Sequence, residues 1–329
     1  MDSSTRPAKV EYVNLYLLRL VAILLIVNAH MGEVYPRASM AMGGYLGNSL
    51  FYFVSAVGLS LSRSVNLSYL TWLKKRFFNL LLPIVILFAL VELNPAKTWD
   101  ILYNLLIPHS LAQKGNFFTN LVVLYLVFWP LQRLSFRALG WLLAGLMTVP
   151  CVLLALHAVP LNPGTSPAQA FFPVSAWMNF VSGMLVARLM QRGRFRAPGA
   201  AACAAGAALF VLCMAVHHAL GRSSVDLVRL LAMHVNLLTV LALFYATLLA
   251  NRLSADAPLA AAAKGLSLLS LPVYAIHFKV LHVIRPLDLN PYLKVALIVV
   301  VAFILAKLFD LVYSRIRDRG RKLMGLETA

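Results

Sequence analysis

Long apolar runs, each close to the length that crosses a bilayer, follow one another along almost the whole chain, with short polar breaks between them. A helix rising 1.5 Å per residue needs about 20 mostly apolar residues to span the hydrocarbon. The pattern predicts ten such helices, at about 13–34, 45–62, 77–94, 116–134, 139–157, 171–190, 198–217, 227–250, 266–284 and 291–314. The stretch 99–110 is too short to span and reads as an interfacial or re-entrant piece. The break around "LNPGTSPAQA" is a loop by its Pro, Gly and Asn content. No break is long enough for a soluble domain. The expectation is an all-α polytopic membrane helix bundle, a single integral-membrane domain over 1–329. The polar opening "MDSSTRPAKVEY" runs into a span too long for a signal h-region, so no cleaved targeting peptide is expected.

Composition agrees with the pattern. The 329 residues are 61% hydrophobic and 12% charged, against about a quarter charged in soluble domains. A net charge of +18 would fit a nucleic-acid partner, but the cations fall in short clusters between apolar runs. That is the distribution of cytoplasmic loops, and it argues against nucleic acid. Ten spans put both termini on one side. With that side taken as cytoplasm, 19 of the 29 lysines and arginines lie on it or at the span ends facing it and 8 on the opposite side, with Arg19 and Lys307, deeper in their spans, counted to neither. Cys151, Cys203 and Cys213 sit in apolar stretches and read as packing residues, with neither a disulfide framework nor metal-ligand spacing.

Any chemistry must then come from polar residues in or beside the spans. Arg19 and His30 stand 11 apart in the first span, three helical turns plus about 20°, so they share a face about 16 Å apart along the axis. An arginine at a helix centre costs on the order of 3 kcal/mol on insertion scales, so such residues usually face a bundle interior or a wet cavity. The pair reads either as a lined pathway or as a snorkelling arginine and a packed histidine. Glu33, three residues on, reads either as a carboxylate fixing the His30 tautomer or as an exposed loop acid. Lys74, Lys75 and Arg76 in "LTWLKKRFFNLLLP" stand where the third span begins. They are ordinary positive-inside charge, or a phosphate-binding patch at a helix N-terminus. His277, with Tyr274 one turn earlier, reads first as a structural hydrogen-bonded pair. His234 is expected to face the interior with Arg229 and Asn236. The metalloprotease, P-loop and nucleophile-elbow motifs are absent from the sequence.

Five stretches, in order, resemble the acyltransferase-3 family of multi-spanning bacterial membrane acyltransferases. Arg19 and His30 match its Arg-x10-His first span. "LFYFVSA", which contains Ser55, is similar to its "FFVLSG" pattern, with Ala56 where glycine is usual. "KKRFFNLLLP" is similar to its basic R-x-x-R lead into the third span, with Arg76 as the first arginine and Asn79 in place of the second. "GNFFTNLVVLYLVFWPLQ" and "SLPVYAIHFKVLHVI" resemble two later spans. Tyr16 stands where Asp is frequent, and Leu20 where Gly is.

The resemblance implies transfer of an acyl group, commonly acetyl, from a cytoplasmic acyl-CoA to a hydroxyl of a surface glycan or its lipid-linked sugar precursor. It implies a bacterial inner membrane, membrane lipid around the chain, acetyl-CoA or another acyl-CoA as donor, and no metal. His30, Arg19 and Glu33 would be catalytic. Arg76, Lys75 and Lys74 would hold the donor, with Tyr274, His277 and Ser55 in support. A transporter or flippase for a small anion or lipid-linked sugar uses the same kind of cavity-facing charge. It predicts broken helices in two related halves, and no such half-to-half similarity stands out. A catalytically dead relative is a third class, and the intact Arg19 and His30 argue against it.

Overall fold

A computed structural model describes residues 12–62, 67–92, 117–156, 171–193, 198–254 and 257–323. The expected 99–110 piece, the 161–170 loop and the N-terminal residues 1–11 lie outside the described residues. The described elements are helices: α1 Val13–Ala29, α2 Gly44–Leu61, α3 Tyr69–Arg76, α4 Leu82–Glu92, α5 Phe117–Leu131, α6 Phe136–Ala155, α7 Phe172–Gln191, α8 Ala200–Gly221, α9 Asp226–Thr247, α10 Pro258–Leu268, α11 Ser270–Ile284 and α12 Pro291–Leu323. No strand occurs among the described residues.

Four of these segments are long and apolar enough to cross a bilayer: Phe136–Ala155, Ala200–Gly221, Asp226–Arg252 and Pro291–Leu323. A fifth is added if α10 and α11, which meet at a bend of 64°, count as one broken span. α6, α8 and α12 bury only 17% of their most apolar window, whereas α9 buries 50%. The first three therefore form an apolar exterior, with Trp141, Leu212 and Val300 facing outward. Water would not tolerate such a surface, and a lipid environment does. The chain is a multi-pass membrane protein.

α2 forms the centre of the bundle. Its residues from Ser49 to Val57 are all buried, so its modest apolarity reflects interior position rather than exposure. Gly47 brings α1 against it: a Cβ there would lie 2.7 Å from the Ala22 carbonyl oxygen, so only glycine permits this approach. Asn236 of α9 donates to Ser49 Oγ at 2.7 Å inside the core, as its expected interior position requires. His234 on the same helix lies 2.8 Å from the Met147 carbonyl oxygen of α6, a structural contact. The three cysteines are free thiols, with Cys203 and Cys213 buried.

Several boundaries differ from the sequence pattern. The first helix stops at Ala29 rather than near 34, because Asn28 turns its amide to the carbonyls of Met40 and Met42 and ties the following loop back over the helix end. The third span does not start at 77. α3 begins at Tyr69, capped by Ser68 accepting from the Thr71 amide, and continues through a π-helical turn at Phe77–Leu81 into α4. The expected 266–284 helix is broken after Leu268, and the last helix runs to Leu323, well past the expected 314.

Polar contacts gather at the two ends of the bundle. At one end the Asn14 backbone N–H donates to Asn251 Oδ1, the Arg188 guanidinium to the Gln132 carbonyl, and the Arg252 guanidinium to the Pro198 carbonyl. At the other, Tyr35 donates to Asn28 Oδ1, and Arg285 pairs with Glu33. α1 runs between them, with Arg19 near the first end and His30 at the second.

Candidate active site

His30 is the C-terminal cap of α1. It keeps near-helical backbone angles (φ −89°, ψ −3°), so the shared face expected with Arg19 survives the early end of the helix. Its imidazole is exposed on one side. On the other it packs against α11, with ring centroids 4.5 Å from Phe278 and 5.2 Å from His277. Two histidines distant in sequence thus meet in one site.

His277 is buried, with 1% of its surface exposed. Its Nδ1 lies 2.7 Å from the Tyr274 carbonyl oxygen and 3.3 Å from that of Val273. A carbonyl only accepts, so Nδ1 carries the proton and Nε2 is left with a lone pair. Nε2 is buried and has no hydrogen-bond partner among the described residues. A buried acceptor without a donor is costly in a resting fold and useful where a proton must be taken up. The bond between the two residues is made by the Tyr274 backbone carbonyl and not by its hydroxyl. The Tyr274 ring instead stacks on Phe117 at 4.7 Å and meets Phe118 edge-on at 4.5 Å. Tyr52 closes this aromatic wall by donating to the Phe117 carbonyl at 3.1 Å.

Glu33 has a different partner from the one considered in the sequence. It is exposed and ion-paired with Arg285, at the end of α11, rather than hydrogen-bonded to His30. The reason is geometric: beyond Ala29 the chain leaves the helix, so the i, i+3 relation that would set Glu33 beside His30 no longer holds. Ser55 is buried on α2 with no hydrogen-bond partner for its hydroxyl among the described residues, and it shares no hydrogen bond with either histidine.

The second group lies at the Arg19 end. Lys74, Lys75 and Arg76 occupy the last turn of α3, not the first turn of a helix. The backbone N–H contribution to a phosphate site is therefore absent, since the chain continues helically through the π turn. Lys74 is exposed and Lys75 is buried. The Arg76 guanidinium lies over the Trp72 ring at 5.3 Å and the Tyr125 ring at 5.8 Å, which fixes its position. Arg76 is within electrostatic reach of Arg19 and of Arg321. The Lys75 ammonium is within electrostatic reach of Arg321 and of Arg76. Arg19, Lys75, Arg76 and Arg321 converge as like charges. The sequence singled out three of them and missed Arg321. Its signal was weak, being one of several cations in a polar tail.

A family model described as an acyltransferase domain matches residues 12–310, nearly the whole chain, and the protein belongs to this acyltransferase-3 family. No curated protein and no solved structure matches it significantly.

Proposed function

We propose that this membrane acyltransferase moves an acyl group, acetyl in the first instance, from cytoplasmic acyl-CoA to a hydroxyl of a cell-surface glycan or its lipid-linked sugar precursor. It does so in a bacterial inner membrane, through about ten spans with both termini in the cytoplasm. The observation that carries the reading is the two-ended site on α1: converging cations at the Arg19 end and paired imidazoles at the His30 end. Along the helix the two are about 16 Å apart. Coenzyme A has the same division, with phosphates at one end and the thioester at the end of a long pantetheine arm. Guanidinium groups suit the phosphates.

The reaction needs a base, because a sugar hydroxyl is a weak nucleophile near neutral pH. In the proposed step an imidazole lone pair takes the hydroxyl proton as the oxygen bonds to the thioester carbonyl carbon. The C–S bond then breaks, and the departing thiolate recovers the proton from the imidazolium. His30, exposed on one side, meets the substrates. His277 holds a neighbouring lone pair with its tautomer fixed by the Tyr274 carbonyl. An apolar cavity of about 790 Å³ between α4, α11 and α12, lined by Ile276, Val280, Leu305 and Tyr313, lies along the same α11 helix. It supports an acceptor or donor with a hydrocarbon portion.

Incubating the purified chain with labelled acetyl-CoA and a panel of host glycan precursors tests the reading. Label transferred to one precursor is the expected result. Vectorial uptake of an anion into proteoliposomes, with no covalent product, would refute it.

A further inference from the structure

One cation of the cluster lies beyond the family match. Arg321 belongs to the extension of α12, which runs on to Leu323, whereas the matched region ends at residue 310. Two contacts fasten this extension to the π turn. Tyr313 donates its hydroxyl hydrogen to the Phe78 carbonyl. Gly320 sits against the Phe78 ring so closely that a Cβ would lie 2.6 Å from its Cε1. The π turn follows directly on Arg76, and Arg321 follows directly on Gly320, so this docking brings the two guanidinium groups to one place. π turns of this kind recur at functional sites.

Among the described residues no carboxylate pairs with Arg321. Its Nε is buried and has no hydrogen-bond partner among the described residues. Asp318, one turn earlier, is exposed and pairs with Arg317 at 3.3 Å. Arg321 and Arg19 enter no ion pair among the described residues. Docking a helix end so that a half-buried guanidinium stands beside cations of like charge suits an anion held among them.

We propose that Arg321 completes a phosphoanion site with Arg19, Lys75 and Arg76, and that the site takes the phosphate groups of the acyl donor. The inference rests on the donor reading above and adds to it a binding residue from outside the family region. Phosphate could also be offered by an anionic lipid headgroup, and the test separates the two sources.

Coenzyme A is titrated onto the full chain in detergent, and binding is read by calorimetry. The same chain in nanodiscs of phosphatidylglycerol or phosphatidylcholine is followed by thermal unfolding. Arg321→Met, which keeps the aliphatic stem, is expected to weaken coenzyme A binding at least tenfold without lowering the unfolding temperature of the free protein. Arg321→Lys is expected to restore most of the affinity. In turnover the change should fall on KM and not on kcat. Arg319→Ala, an exposed cation on the same helix, should bind as wild type does. Wild-type affinity in Arg321→Met overturns the inference and leaves the donor reading intact. Should the wild-type chain fail to bind coenzyme A while phosphatidylglycerol stabilises it through Arg321, the donor assignment is overturned together with the donor reading, and the cluster belongs to lipid headgroups.

Discussion

Replacing His277 by asparagine separates its two nitrogens. The asparagine amide can occupy the position of Nδ1 and keep the donation to the Tyr274 carbonyl, now at 2.7 Å. What is lost is Cε1 and Nε2, together with ring contacts to Phe278 at 4.1 Å and His30 at 5.2 Å. The site is buried and cannot refill fully, so the loss should cost about 1–3 kcal/mol of stability, on the scale of large-to-small core changes. A multi-pass bundle should remain folded at that cost. If the Nε2 lone pair takes part in proton transfer, turnover falls roughly 10²–10⁴-fold, the range for general acid–base catalysis. At 1.36 kcal/mol per tenfold, that is about 3–5.5 kcal/mol on the barrier, more than the stability term. His277→Gln, whose longer amide can reach towards the Nε2 position but cannot accept a proton near neutral pH, should be as slow. The assay is labelled acetyl transfer at saturating donor, with thermal unfolding of the same samples. A folded asparagine variant with wild-type turnover would refute the reasoning, and His277 would then be a packing residue.

Two further outcomes follow from the geometry. Glu33→Gln should leave turnover unchanged and cost at most about 1 kcal/mol of stability, since its pair with Arg285 is exposed on both sides; a collapse of activity would return Glu33 to the imidazole. Lys75→Met, which removes one of the converging cations, should weaken coenzyme A binding read by calorimetry and leave turnover at saturating donor unchanged; wild-type affinity in that variant would remove Lys75 from the donor site.

The helical class, the lipid-facing surface and the Arg19 and His30 positions were legible in the sequence because each rests on local spacing or composition. Apolar runs have a length, and 11 residues on a helix return to the same face. The meeting of His30 with His277 was not legible, because it depends on α1 packing against α11, from the far end of the chain. The fate of Glu33 turned on where α1 stops. Asn28 sets that point by bonding a loop a dozen residues away, and no periodicity carries such information. The third span misled for a related reason. Lys74 to Arg76 precede an apolar run and so read as a helix start, while the π turn that joins α3 to α4 leaves no mark in the hydrophobic pattern. Arg321 was hidden among tail cations until Gly320 and Tyr313 were seen to dock on Phe78.

The central claim is that α1 carries the reacting imidazole at one end and meets the donor's charge at the other. Acetyl transfer by His30→Ala, measured with thermal unfolding on the same preparation, tests it most directly. The account predicts a protein that unfolds near the wild-type temperature, since His30 lies exposed at a helix end, and transfers acetyl at least about 10²–10⁴-fold more slowly. Its affinity for coenzyme A should be unchanged, because the phosphates are held at the Arg19 end. A stable His30→Ala protein that turns over as fast as wild type would contradict the account.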